Sequence, residues 1–153
     1  MIELGMIAKD IITGFAGVVI IKTNYLSSVD RLSLQPRDLK EGKVRDSEDF
    51  DITQLEVTFK EKVIEAQTTE QKIFLGQNVI CEVSGFKGTV FAVANFINGC
   101  RRIGVSPGTT KEFKIENNWI DEGNLIVNTN ESRIKEGEKT TGGPAPKCND
   151  PWR

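Results

Sequence analysis

The chain has 153 residues with 20 basic and 22 acidic side chains, a net charge of −2 and no histidine. The balance of charge argues against broad, sequence-independent nucleic-acid binding, which runs on net positive charge. The absence of histidine removes the commonest general base, the commonest metal ligand and every Ser-His or Cys-His nucleophile.

In chain order, Ile2 to Ile12 is rich in β-branched residues and predicts a strand ending at the Gly14 breaker. Ala16 to Leu26 predicts a second, longer strand, apolar on both parities: Val18 and Ile20 on one, Val19 and Ile21 on the other. Such a strand needs cover on both faces or a bend that lets it serve two sheets, and Gly17, like Gly88 in the later strand, stands where a bulge or corner would need it. Leu32-Ser33-Leu34 predicts a short strand closed by Pro36. Residues 37–49 are charged and predict a solvated loop or a polar hairpin, and Gln54 to Phe59 predicts the next strand. Residues 60–72 form a linker in which Lys60 to Gln67 suits a helical turn or a strand extension. Strands are then predicted at Val79–Val83, Val90–Phe96, Ile103–Val105 and Leu125–Val127, with a loop from Gly108 to Asn118. Runs of this length, punctuated by glycine and proline, fit strands better than helices. Residues 129–153 are polar, then rich in Gly and Pro before Trp152, and predict an extended or disordered tail without a core of its own.

The second series of elements restates the first. Leu4-Gly5, Thr13-Gly14-Phe15-Ala16-Gly17, Asn24-Tyr25-Leu26 and Pro36 recur 71 residues later as Leu75-Gly76, Ser84-Gly85-Phe86-Lys87-Gly88, Asn95-Phe96-Ile97 and Pro107. Nine of the 33 positions from 4 to 36 are identical in this register. At an offset of 70, Phe50-Asp51 and Leu55-Glu56-Val57 meet Ile120-Asp121 and Leu125-Ile126-Val127. A sequence repeat of this kind predicts two structural units. The expected fold is all-β: two tandem SH3-like (Tudor- or KOW-like) small barrels, residues 1–59 and 73–128, joined by the 60–72 linker and followed by the 129–153 tail. A two-sheet sandwich is the alternative. A unit of this size buries only ~60% of its unfolded surface, so the halves are expected to share a core or an interface, or to assemble into a homo-oligomer.

Cys81, Cys100 and Cys148 are odd in number and irregularly spaced, which predicts reduced thiols and a cytoplasmic setting. Val18 to Ile21 is too short for the ~20 residues of a membrane span, so no membrane partner is expected. Neither a metal nor a cofactor is implied, because paired ligand spacings are missing. Gly14-Phe15-Ala16-Gly17 and Gly85-Phe86-Lys87-Gly88 look like phosphate loops, but they precede strands rather than helices and are read as turns. Carboxylates cluster at Asp46, Glu48, Asp49 and Asp51. Only Asp51 recurs, as Asp121, and both are read as capping a loop rather than serving a two-carboxylate hydrolase. The chain is therefore read as non-enzymatic.

One recurring set points to a ligand. Asn24, Tyr25 and Arg31 match Asn95, Phe96 and Arg102, with Arg101 beside them and Trp119 as a stacking wall. Arginine offers a planar fork for phosphate, an aromatic face stacks on a base and an amide reads its edge. The copies diverge where Asp30 faces Arg101, which makes the second half locally more basic. The expected partner is a small anionic, nucleotide-like ligand; a host protein bound through barrel edges or loops is the alternative.

The pattern Leu4-Gly5, Asp10, Thr13-Gly14-Phe15-x-Gly17-x-Val19, Tyr25-Leu26, Pro36, Phe50-Asp51 and Leu55-Glu56-Val57 resembles a family of small proteins from phages and prophages of Gram-positive bacteria. Ser84-Gly85-Phe86-x-Gly88, Asn98-Gly99-Cys100, Trp119-Ile120-Asp121-Glu122-Gly123 and the Gly142-Gly143-Pro144 stretch carry other parts of that resemblance. It implies a phage protein acting in the cytoplasm of an infected host. By analogy it also implies an anti-defence factor that sequesters a nucleotide immune signal, or an adaptor that binds a host defence protein or a virion component.

Overall fold

The structure is a computed structural model that describes residues 1–108 and 116–128. The all-β expectation holds, with antiparallel pairing throughout the described residues. The strands of the first half are β1 (Ile7–Asp10), β2 (Ala16–Tyr25), β3 (Arg31–Gln35), β4 (Leu39–Lys40), β5 (Lys43–Val44), β6 (Glu48–Asp51) and β7 (Leu55–Phe59). Those of the second are β8 (Asn78–Cys81), β9 (Lys87–Phe96), β10 (Arg101–Ser106), β11 (Asn118–Asp121) and β12 (Leu125–Val127). A 3₁₀ turn, Ile52–Gln54 or Glu122–Asn124, precedes the last strand of each half. The charged stretch 37–49 contains the β4–β5 hairpin, in line with the polar-hairpin expectation.

Hydrogen bonding runs β7-β1-β2-β3-β6 in the first half and β12-β8-β9-β10-β11 in the second. No pairing joins β6 to β7 or β11 to β12 among the described residues, so neither half is closed into a barrel by its strands. The strands β6 and β11 each begin inside a stretch expected to be a loop. They form because one side chain in each turns inward: Phe50 is buried in the first core and Ile120 packs on the second. The expected strand over Ile2–Ile12 shortens to β1, because Gly5 turns the chain at φ +87°. A Cβ there would lie 1.9 Å from the Ile64 carbonyl oxygen, so only glycine lets the linker cross.

Each half has its own core. Ile2, Ala8, Val19, Leu32, Leu34 and Phe50 form the first. Val79, Val90, Val93, Ile103, Val105 and Leu125 are central to the second. The halves share an interface rather than a core, and one strand from each supplies it. Residues Ile21 to Tyr25 of β2 pair antiparallel with Ala92 to Phe96 of β9.

A bulge lets β2 and β9 serve two partners. In β2 the register against β3 slips between Val19 and Ile21, leaving Ile20 extra. In β9 it slips opposite Gly104/Val105, leaving Phe91 extra. An extra residue falls outside the local ladder and bends the strand. Here its carbonyl turns to the other half: Ile20 O accepts from Ile97 N and Phe91 O from Leu26 N, both at 2.8 Å. Gly17 and Gly88, the glycines expected at a bulge or corner, lie outside these bulges and have a different task. A Cβ on Gly17 would lie 2.5 Å from Gln35 O, and one on Gly88 2.5 Å from Ser106 O, so both glycines allow close crossing of neighbouring strands.

Candidate functional site

The linker does not form a helical turn or extend a strand. Residues 60–72 run as an irregular strap from the end of β7 across the junction. Val63 N donates to Gly5 O at 2.9 Å, and Lys62 pairs with Glu3 at 2.9 Å. Farther along, Gln67 N donates to Ile97 O and Thr69 Oγ1 to Gly99 O, both at 2.9 Å. The turn beneath is made by Asn98-Gly99, with Gly99 at φ +87°. A nearly buried ion pair then ties the strap down. Arg101 Nη1 meets Glu122 Oε1 at 2.8 Å, and Glu122 Oε2 accepts from Lys72 N and Ile73 N at 3.2 and 3.1 Å. Arg101 also donates to the Thr69 and Glu70 carbonyls at 3.2 and 3.3 Å.

Between strap and junction lies a cleft of about 280 Å³. Lys22, Asn95 and Phe96 contribute from the junction, with Lys62, Gln67 and Thr68 from the strap. Its charged lining comprises Lys22, Lys62, Arg101 and Glu3; Lys62 is paired with Glu3 and Arg101 with Glu122, so Lys22 is the lining cation outside those two ion pairs. The Lys62 ammonium holds the Glu3 carboxyl below the usual carboxylate range, chiefly by hydrogen bonding, and Glu3 raises Lys62 in return. Lys22 Nζ lies 3.5 Å from the Ile2 carbonyl oxygen. The arrangement can neutralise a small anion beside an aromatic ring and offer amide and hydroxyl groups from the strap.

The residues singled out from sequence divide into four groups. Asn24, Asn95 and Arg101 come together across the junction: Arg101 Nε donates to Asn95 Oδ1 at 2.7 Å, and Asn95 Nδ2 reaches Asn24 Oδ1 at 3.5 Å. Tyr25 and Phe96 face Ala92 and Ile21 in the β2–β9 pair, and Phe96 reaches the cleft. Arg31 and Arg102 sit apart from it. Arg31 pairs with Asp51 at 3.0 Å and Arg102 with Asp121 at 3.3 Å, each with its direct cross-strand neighbour. The matched arginines and matched aspartates thus explain one another. Neither aspartate caps its 3₁₀ turn with a side-chain hydrogen bond.

Trp119 lies elsewhere on the second half, edge-on to Phe91 with ring centroids 5.8 Å apart. Phe91 packs over Gly104, and with Leu26 it lines a separate groove of about 540 Å³. In the first half, Ser33 bonds Asp49 at the matched place, so that carboxylate is also held by a structural partner. Cys81 is buried and Cys100 exposed, both as thiols. Cys148, Trp152 and the rest of the expected tail lie outside the described residues. No described helix is long and apolar enough to cross a membrane.

Sequence reasoning missed Lys22, Lys62, Gln67 and Thr68. Lys22 carried a signal, being the one charged residue of β2, where the matched position in β9 is the buried Val93. The linker residues carried none, because nothing in a polar stretch says which strands it will cross. Comparisons with protein-family models, curated proteins and solved structures find no match.

Proposed function

We propose that this chain is a non-enzymatic binding protein that captures a small anionic, nucleotide-like ligand in the cleft beneath the strap. The observation that carries the proposal is Lys22, a cation outside the Lys62–Glu3 and Arg101–Glu122 ion pairs, lining one cleft beside the Phe96 ring. At about 280 Å³ the cleft is just under the ~300 Å³ lower end of ordinary small-molecule sites, so it suits a single nucleotide unit. Phosphate would meet the lysines, a base would lie on Phe96, and Gln67 and Thr68 would read its edge. Arg101 and Asn95, expected to touch the ligand, would instead build the wall and hold the strap. Arg31, Arg102 and Trp119 would stand outside this cleft.

The wider setting is part of the same proposal. The strand order and the matched bulges support two duplicated, SH3-like units. The resemblance to phage and prophage proteins supports a role in an infected bacterial cytoplasm, where sequestering a nucleotide immune signal would blunt host defence without catalysis. Homo-oligomerisation belongs to this reading as well.

Isothermal titration of the full chain against AMP, cyclic mononucleotides, cyclic dinucleotides and ADP-ribose tests the site. Binding of one of these, lost in Lys22→Glu and retained in Arg31→Ala, supports it; no heat from any of them overturns it. A second reading, a protein–protein adaptor, draws on the half-exposed Leu26 and Trp119 beside the groove at Phe91. That reading requires loss of function in Trp119→Ala and indifference to Lys22→Glu.

A further inference from the structure

The junction contains a hydrogen-bonded chain with a direction. Asp30 Oδ2 accepts from Asn24 Nδ2 at 2.8 Å, and Asp30 Oδ1 accepts from Tyr25 N at 3.3 Å. Asn24 Oδ1 then faces Asn95 Nδ2, and Asn95 Oδ1 accepts from Arg101 Nε. A guanidinium can only donate and a carboxylate can only accept. The two charged ends therefore fix both amides, each pointing its NH2 toward Asp30 and its oxygen toward Arg101.

This explains why positions 30 and 101 differ while 24 and 95 do not. With aspartate at both ends, each amide would turn its NH2 outward and two oxygens would meet in the middle. With a cation at both ends, two NH2 groups would meet there. Only an acid at one end and a base at the other satisfies the central contact. We propose that Asp30–Asn24–Asn95–Arg101 is a polarity lock: it makes the pairing of unlike halves the satisfied arrangement of the β2 and β9 edges and penalises the pairing of two identical halves from separate copies. The proposal rests on the junction alone and is independent of the ligand.

The lock predicts coupling between positions 30 and 95, which the hydrogen-bonded chain joins through Asn24. Thermal unfolding of full-length Asn95→Asp, Asp30→Lys and the double variant tests it. A carboxylate at 95 beside Arg101 would stabilise the protein if ion pairing alone mattered. The lock predicts the reverse: each single variant loses about 3–6 °C, because one polar contact is left facing its own kind. In the double variant Asn24 flips, donating to the new carboxylate and accepting from the new lysine, and at least half of the summed loss is recovered. A stabilising Asn95→Asp, or losses that simply add, overturns the proposal. Side-chain amide NMR gives a second readout in proteins that fold. The Asn95 NH2 signals should stay near wild type in Asp30→Asn, which keeps an acceptor, and move in Asp30→Lys; equal shifts in the two would also overturn it.

Discussion

Thr23 stands opposite Ala94 in the β2–β9 pair, and Ala94 is the residue 71 positions beyond it. On either side, Ile21 faces Phe96 and Tyr25 faces Ala92, which are again matched pairs exchanged. The two strands thus meet about a local twofold centred on Thr23 and Ala94. Each cross-strand pair near that centre recurs on the other side with its matched positions exchanged, so asymmetry there has to come from substitution. Asp30 against Arg101 and Lys22 against Val93 are two such substitutions, and they orient the amides and charge the cleft.

The close strand crossings should be intolerant of a single methyl group. Gly88→Ala puts a Cβ 2.5 Å from a backbone carbonyl oxygen that has no freedom to rotate away. Denaturant unfolding should show a loss of about 1–3 kcal/mol, as for overpacked sites. Gly123→Ala, whose Cβ would meet nothing within 4 Å, should stay within about 0.5 kcal/mol of wild type.

Two adjacent arginines should behave very differently. The Arg101 and Glu122 side chains are only 10% and 12% exposed. Arg101→Ala strands a nearly buried carboxylate and frees the strap, so a loss of about 3 kcal/mol is expected, with faster amide exchange at Lys72 and Ile73. Arg102 and Asp121 are 49% and 69% exposed, and Arg102→Ala should cost less than about 1 kcal/mol.

Much of this architecture was legible in the chain. The alternating and β-branched runs mark the long strands, and the matched glycines mark turns and crossings. Hidden were β6 and β11, because a four-residue strand with one inward side chain, such as Phe50, looks like a polar loop. The site was only half legible. The Asn, aromatic and Arg positions do gather near the junction, but local spacing cannot say that Arg31 will face Asp51 across a strand pair. The strap's role depends on contacts such as Gln67 to Ile97, which have no local sequence signature.

The acid limb of stability should report Asp10. Its buried carboxylate accepts from Thr13 Oγ1 at 2.6 Å and Thr13 N at 2.7 Å, and these bonds hold it below the usual carboxylate range. A depressed folded value means that the contribution is complete above the unfolded value of about 3.9 and is lost as pH falls through the folded one. Melting temperature against pH should show this loss in wild type and a flatter acid limb in Asp10→Asn. Identical acid limbs would show that Asp10 does not set the acid stability of the fold.

Ligand capture in the cleft is tested most directly by a titration paired with one charge reversal. Heats are measured for wild type and Lys22→Glu against the nucleotide panel, with circular dichroism establishing that both are folded. Capture in the cleft requires saturable binding by wild type to at least one nucleotide and at least a tenfold weaker affinity, about 1.4 kcal/mol, in the variant. A wild-type chain that binds none of them, or a Lys22→Glu chain that binds equally well, would contradict it.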